Sequence, residues 1–271
     1  MSKLKVAVTG GNGYIGSILM EELLKNKDIY DIISVVRKGS KPKQKVKYIE
    51  YDGTVESLEV LKNSDIVFHL AALYSTKEDK ETVDDLVISN VIMSHNVFRA
   101  VGDNTRVVCA STFSSQDDNP TFYAQTKEFV ETIAKNRKGD IVFITIPDTY
   151  GPHDPRTKVV NLLHRANSNK EDFQFQKGPN FKIALIHVYD VVRAFIHAGT
   201  QLEPSRESRI FDIIPEYMPM RDLADIIITN DKSKITFGED TEQKLIRNRV
   251  TMPGFELKVH TSKESLRDLE V

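Results

Sequence analysis

A doubly wound parallel α/β sheet is the architecture this sequence predicts, and three observations predict it. Apolar strand-length runs alternate with amphipathic helix-length stretches over residues 4–146, the pattern of strands joined by helical crossovers. The runs near residues 66, 107 and 141 are apolar almost without interruption, as strands covered on both faces must be. The first strand empties into closely spaced glycines and then a helix with apolar Ile15, Ile18, Leu19 and Leu23, a strand–turn–helix unit suited to a phosphate-bearing ligand.

In chain order, the elements are strand 4–9, helix 14–26, strand 32–36, strand 46–50, a short helix 56–62, strand 65–70, helix 82–101, strand 105–111, helix 122–137 and strand 140–146. Prolines at 147, 152, 155, 179, 204, 215 and 219 then cut the chain into shorter pieces, because a proline ends or punctuates an element. Among them are helix 156–167, strand 182–187, helix 190–200, strand 209–214 and helix 220–229. Residues 1–150 are expected to form a Rossmann-type NAD(P)-binding domain. Residues 151–271 are expected to form a small substrate lobe, interleaved with the main sheet and closing over the carboxyl ends of its strands, where such sheets bind ligands.

Composition narrows the class. A chain of 271 residues, 40% hydrophobic and 28% charged, can bury a full core. Apolar runs such as Ile66 to Leu73 are far too short to span a bilayer, and the chain enters a strand at once, with no signal-peptide core, so a cytoplasmic location is expected. The single cysteine, Cys109, falls inside an apolar strand and reads as a core thiol. Seven histidines lack any ligand spacing such as His-Glu-x-x-His, so no metal site is expected. The net charge of −2 argues against a general nucleic-acid binder, and no Gly-x-Ser-x-Gly elbow supports a serine hydrolase. Asp117-Asp118-Asn119-Pro120 reads as a turn and helix entry with Asn119 as cap.

Two constellations carry chemistry. Gly11-Asn12-Gly13-Tyr14-Ile15-Gly16 satisfies G-x-G-x-x-G, within a wider Gly10-x-x-Gly13-x-x-Gly16 frame that follows Thr9. One glycine makes the tight turn, one lets backbone approach a pyrophosphate, and one lets helix and strand pack closely, leaving helix N–H groups aimed at the phosphates. The second strand ends at Arg37, about twenty residues on, where the motif places its ribose-reading residue. Arg37, Lys38, Lys41, Lys43, Lys45 and Lys47 follow with no acid among them. The lysines read as a solvated loop and strand edge, whereas Arg37 and Lys38 stand where an Asp or Glu would mark NAD and a cation suits a 2′-phosphate. NADP is therefore the expected cofactor, with NAD as the other candidate.

The second constellation is Tyr123-Ala124-Gln125-Thr126-Lys127, preceded by Ala110-Ser111-Thr112 at a strand end. Residues i and i+4 share a helix face, so the Tyr123 phenol and the Lys127 ammonium point into one cleft. An ammonium beside a phenol favours the phenolate and brings an acid with a pKa of about 10 toward usefulness at neutral pH. The Thr112 hydroxyl can hold a substrate oxygen against the Tyr123 O–H.

With these residues in view, the chain resembles the short-chain dehydrogenase/reductase superfamily in its extended, epimerase/dehydratase branch, along nearly its whole length. The matching segments are Thr9 to Gly16, Tyr51-Asp52-Gly53, His69-Leu70-Ala71-Ala72, Asn90-Val91, the Thr112, Tyr123 and Lys127 triad, Tyr150-Gly151-Pro152, and Ile186 to Ala194. The resemblance implies a cofactor-binding set of Gly10, Asn12, Gly13, Tyr14, Ile15, Gly16, Arg37, Lys38, Asp52, Gly53, Leu70, Ala71, Ala72, Asn90, Tyr123, Lys127 and Ile146. It implies substrate contacts at Tyr74, Thr112, Phe113, Asp148 and Lys182. Three departures stand out: Asp148 where nucleotide-sugar members carry Asn, Ile183 with Lys182 adjacent where they carry a phosphate-binding Arg, and a short link from Thr112 to Tyr123.

The expected activity is oxidoreduction between a nicotinamide cofactor and a carbonyl or secondary alcohol, reducing a nucleotide-linked 4-keto-sugar. Epimerisation or dehydration of a nucleotide sugar with retained cofactor is the alternative enzyme reading. A non-catalytic NADP-binding redox sensor is the alternative of another class. A small-molecule nucleotide sugar is the expected partner, with no nucleic acid and no membrane, and a homodimer is the assembly considered.

Overall fold

In the computed structural model, residues 2–77, 79–113, 120–243, 250–258 and 263–269 are described. The first half runs β1 (Leu4–Thr9), α1 (Tyr14–Lys25), β2 (Tyr30–Arg37), β3 (Lys47–Tyr51), a 3-10 helix Glu56–Asn63 and β4 (Ile66–His69). It continues with α2 (Lys80–Leu86), a π-helical stretch Val87–Ile92, α3 (Met93–Ala100), β5 (Arg106–Thr112), α4 (Phe122–Lys135) and β6 (Ile141–Ile146). The second half runs β7 (Asp148–Tyr150), α5 (Val159–Asn169), β8 (Phe173–Gln174), β9 (Lys182–His187), α6 (Val188–Thr200) and β10 (Arg209–Asp212). It ends with β11 (Tyr217–Pro219), α7 (Met220–Ile227), β12 (Ile235–Thr236) and α8 (Lys263–Arg267).

The 7-stranded sheet has the order β10-β6-β5-β4-β1-β2-β3, and β1 pairs in parallel with both β2 and β4. Strand order therefore reverses between β1 and β4, which opens a crevice at their carboxyl ends. Strand residues Ala7, Val35, Val67, Val107 and Ile141 pack with Val97 and Phe98 of α3 and Val130 and Ala134 of α4. At the opposite strand ends, Asp140 takes Arg106 and Arg209, each at 2.7 Å, so the one carboxylate joins the starts of β5 and β10.

The chain divides into two compact units. The first comprises residues 1–145, 192–212 and 250–255, the second 146–191, 213–249 and 256–271. Strand β10, which the sequence places among the shorter pieces of the second half, is an edge strand of the large sheet and ends at Asp212. In the second unit, β9 pairs antiparallel with β11 and parallel with β7. Leu163, Phe175, Ile183, Leu185 and Leu223 form the core of that unit.

Two local expectations are corrected, and four short strands go unforeseen. The predicted helix 82–101 contains a π-helical stretch in its middle. Helix α4 is capped by Thr121, whose hydroxyl accepts from the Ala124 N–H at 3.3 Å, while Asn119 lies outside the described residues. Strands β7, β8, β11 and β12 have only two or three residues each, too few to show a period of alternation. Among the described residues, no helix is long and apolar enough to cross a membrane.

Candidate active site

The carboxyl ends of β1, β2, β3, β4 and β5 bring most of the sequence-predicted residues to one edge of the large sheet. Strand register does this directly: Thr9 lies beside His69, His69 beside Cys109, and Arg37 beside Tyr51. The glycines then show why no other residue serves. Gly10 has φ 75°, and a Cβ there would stand 2.5 Å from the Ala71 nitrogen. A Cβ on Gly16 would stand 2.1 Å from the Gly10 carbonyl oxygen. Gly13 starts α1 with no side-chain cap and donates its own N–H to Gly10 O at 2.9 Å. A tight bare turn that opens onto an uncapped helix start is a fitting cradle for a pyrophosphate, so the residues present fit a dinucleotide.

Under this turn lies a chain of hydrogen bonds whose directions are fixed by its ends. The Ser94 hydroxyl donates to Asn90 O at 2.5 Å, which leaves its oxygen to accept from His69 Nε2 at 2.8 Å. His69 Nδ1 then accepts the Thr9 hydroxyl at 2.7 Å, and Thr9 Oγ1 accepts the Ala71 N–H at 3.2 Å. Burial, and after it the charge of Lys127, push His69 down to about 3, so the ring stays neutral and the chain holds across the physiological range.

Asn90, expected at the cofactor, is 1% exposed and has its side-chain amide engaged within the protein. Its Oδ1 accepts from the Leu73 N–H at 2.8 Å, and its Nδ2 donates to Leu73 O at 3.1 Å and to Thr126 Oγ1 at 3.0 Å. Thr126 in turn donates to Tyr123 O at 2.6 Å. Asn90 therefore fixes the segment after β4 against the turn of α4 that carries Tyr123. The π-helical stretch that contains it is the kind of irregularity often found beside functional sites.

Thr112 ends β5, and Tyr123 and Lys127 lie one turn apart on α4. The Tyr74 ring stands edge-on to Tyr123 with centroids 5.0 Å apart. Lys127 is buried and donates to Ala110 O at 2.9 Å. Burial brings its pKa down to about 8, against the pull of Cys109 and Glu131. Burial also raises the Cys109 thiol and the Glu131 carboxyl, the latter partly offset by the Ser111 hydroxyl that it accepts at 2.5 Å.

The lysine shift has a measurable consequence. Because folding depresses this pKa below the ordinary lysine value, the charged form costs stability below about pH 8, and that cost fades as pH rises toward 10.5. Lys127→Met is therefore expected to raise the melting temperature at pH 7 by about 2–4 °C, the effect of roughly 1 kcal/mol in a chain of this size. The gain should shrink at pH 10, and thermal melts at both pH values check it.

Around the remaining candidates, Asp52 is committed to its own turn, accepting from the Thr54 N–H at 3.0 Å and the Thr54 hydroxyl at 2.6 Å. Those bonds hold its carboxyl below the usual range. Gly53 O and the Tyr51 hydroxyl both accept from Asn96 Nδ2 at 3.0 Å. Sequence reading misses Ser94, Asn96 and Thr126; the available signal is polar residues on otherwise buried helix faces. In the second unit, Lys158 neutralises Asp148 at 3.0 Å, and Ile183 is a core residue, 7% exposed. Lys182 is exposed, with its backbone held at both N–H and C=O by the Gln243 amide.

The model of the NAD dependent epimerase/dehydratase family matches residues 6–213. The chain belongs to this family. It is 28% identical over 233 residues to the UDP-N-acetyl-alpha-D-glucosaminuronate decarboxylase of Bacillus cytotoxicus, covering 72% of this chain and 71% of that protein. It is 25% identical over 246 residues to the dTDP-4-dehydro-6-deoxyglucose reductase of Escherichia coli, covering 77% and 75%. The solved UDP-N-acetylglucosamine 4-epimerase of Methanobrevibacter ruminantium M1, in complex with UDP-N-acetylmuramic acid, shares the fold with a TM-score of 0.79 and 21% identity over 99% of this chain and 97% of that one. The protein is thus an enzyme of the NAD-dependent epimerase/dehydratase family.

Proposed function

We propose that this family member is an NADP-preferring oxidoreductase that reduces a nucleotide-linked 4-keto-sugar through Thr112, Tyr123 and Lys127. The observation that carries the reading is helix α4, which holds Tyr123 and a buried Lys127 on one face beside the end of β5. When bound, the dinucleotide supplies the hydride. Tyr123 gives its proton to the carbonyl oxygen, and Thr112 orients that oxygen by a hydrogen bond. Lys127, cationic below about pH 8, stabilises the phenolate that remains.

Gly10, Gly13, Tyr14, Ile15 and Gly16 take the pyrophosphate. Asp52 and Gly53 border the adenine, Leu70 to Ala72 and Ile146 line the cofactor, and Arg37 and Lys38 face the 2′-phosphate. Tyr74 and Phe113 border the substrate. Lys158 removes the repulsion that an unpaired Asp148 would present to an anionic sugar nucleotide. Reduction is the activity named for one relative, the dTDP-4-dehydro-6-deoxyglucose reductase, while epimerisation is named for the solved neighbour. A homodimer belongs to the proposal, supported by exposed Ile88 and Ile92 about one turn apart on the π-helical stretch and by exposed Phe129 on α4. A cytoplasmic site of action fits the lone buried thiol.

Cofactor choice is testable directly. Losing a charge-assisted hydrogen bond costs roughly 1.5–3 kcal/mol, so Arg37→Ala is expected to weaken NADP about tenfold to a hundredfold and to leave NAD nearly unchanged. Fluorescence titration of both dinucleotides checks it, and tighter NAD than NADP in the wild type would sink the NADP assignment.

A further inference from the structure

The segment 37–47 carries six cations and no acid, and the structure shows what holds it. Asn12, in the glycine turn, donates from Nδ2 to the Lys41 carbonyl at 2.8 Å and accepts at Oδ1 from the Lys43 N–H at 2.9 Å. One side-chain amide thus pairs with the chain on both sides of Pro42, as a neighbouring strand would. Next along, Gln44 Nε2 reaches Ser17 O of α1 at 3.4 Å. At the other end, the turn after β2 closes through Ser40 N to Arg37 O and Gly39 N to Glu50 Oε2, each at 2.9 Å.

Arg37, Lys38, Lys41 and Lys43 are all exposed along this tethered segment. Like charges on an unheld loop spread apart in water, because repulsion and chain entropy act together. Fastening residues 41–43 to the glycine turn opposes both. The Asn12 amide is spent on the segment, so its influence on a bound dinucleotide runs through what it holds.

We propose that Asn12 is a specificity-determining residue. By clasping residues 41–43 to the glycine turn, it keeps Arg37, Lys38, Lys41 and Lys43 as a preformed cationic rim that selects a dinucleotide bearing a 2′-phosphate. This inference rests on the NADP reading above. A binding-competent loop populated for only a fraction of the time weakens apparent affinity by that fraction. Loss of the two hydrogen bonds places the expected fall at about tenfold to thirtyfold.

The test uses adenosine 2′,5′-bisphosphate and adenosine 5′-monophosphate, which differ only in the 2′-phosphate, titrated calorimetrically into the whole protein. Wild type, Asn12→Ala, Asn12→Asp and Arg37→Ala are compared. The ratio of the two affinities is the readout, because general damage to the turn lowers both and leaves the ratio alone. Wild type is expected to prefer the bisphosphate, and Asn12→Ala to reduce that preference about tenfold to thirtyfold. Asn12→Asp, which keeps the acceptor for Lys43 but loses the donor to Lys41 and adds an anion, should reduce it at least as far. If Arg37→Ala abolishes the preference while Asn12→Ala leaves the ratio within about twofold of wild type, the clasp is refuted and the NADP reading stands. If wild type binds both nucleotides equally, the NADP reading fails and takes this inference with it.

Discussion

Tyr123→Phe is expected to slow hydride transfer by about 10²–10⁴-fold, the usual loss when a positioned acid–base group is removed. The substitution deletes one oxygen and leaves the ring that meets Tyr74 edge-on at 5.0 Å. Thr126 still donates to the residue-123 carbonyl, because that bond uses backbone. NADP affinity should therefore stay within about twofold, and the loss should appear in kcat and in kcat/KM alike, as for an interaction made only in the transition state. Single-turnover kinetics with a parallel NADP titration checks both halves. A variant within about threefold of the wild-type rate would remove Tyr123 from the chemistry and favour the redox-sensor reading.

Gly10→Ala is expected to damage both stability and cofactor binding. The backbone at φ 75° costs an L-residue about 1–2 kcal/mol. The new methyl would also press on the Ala71 nitrogen at 2.5 Å, an overpacking cost of about 1–3 kcal/mol. The atoms it strikes are main chain and cannot swing aside as a flexible side chain could, so the segment after β4 must shift. That segment is held by the bonds from Thr9 and Asn90. A fall in melting temperature of about 5–10 °C follows for a chain of this length, together with loss of measurable NADP binding. Calorimetric melting and dinucleotide titration of the one variant check both, and an unchanged melt would show that the turn relaxes freely.

The large sheet was legible because its central strands carry near-continuous apolar runs, Ile66 to Phe68 and Ile141 to Ile144 among them. Short paired segments such as Phe173–Gln174 and Ile235–Thr236 were not, since two residues carry no period. At the site, spacing alone brought Tyr123 and Lys127 to one helix face and the glycines to the crevice between β1 and β4. Spacing could not show that Asn90 faces Leu73 and Thr126, residues brought to it by tertiary packing. Nor could it show that Lys158 reaches back ten residues to Asp148. In each case the partner is chosen by the fold, and a side chain of the same type elsewhere on that helix would read identically in sequence.

The central claim is net reduction, with Tyr123 as proton donor and the dinucleotide consumed. The direct measurement is the stoichiometry of NADPH oxidation, followed by its near-ultraviolet absorbance, against sugar product formed from a panel of nucleotide-linked 4-keto-sugars. One NADPH oxidised for each keto group reduced, with Tyr123→Phe nearly silent in the same assay, is the predicted result. Conversion of a nucleotide sugar with no net change in NADPH would contradict it and leave epimerisation or dehydration with a retained cofactor as the activity of this site.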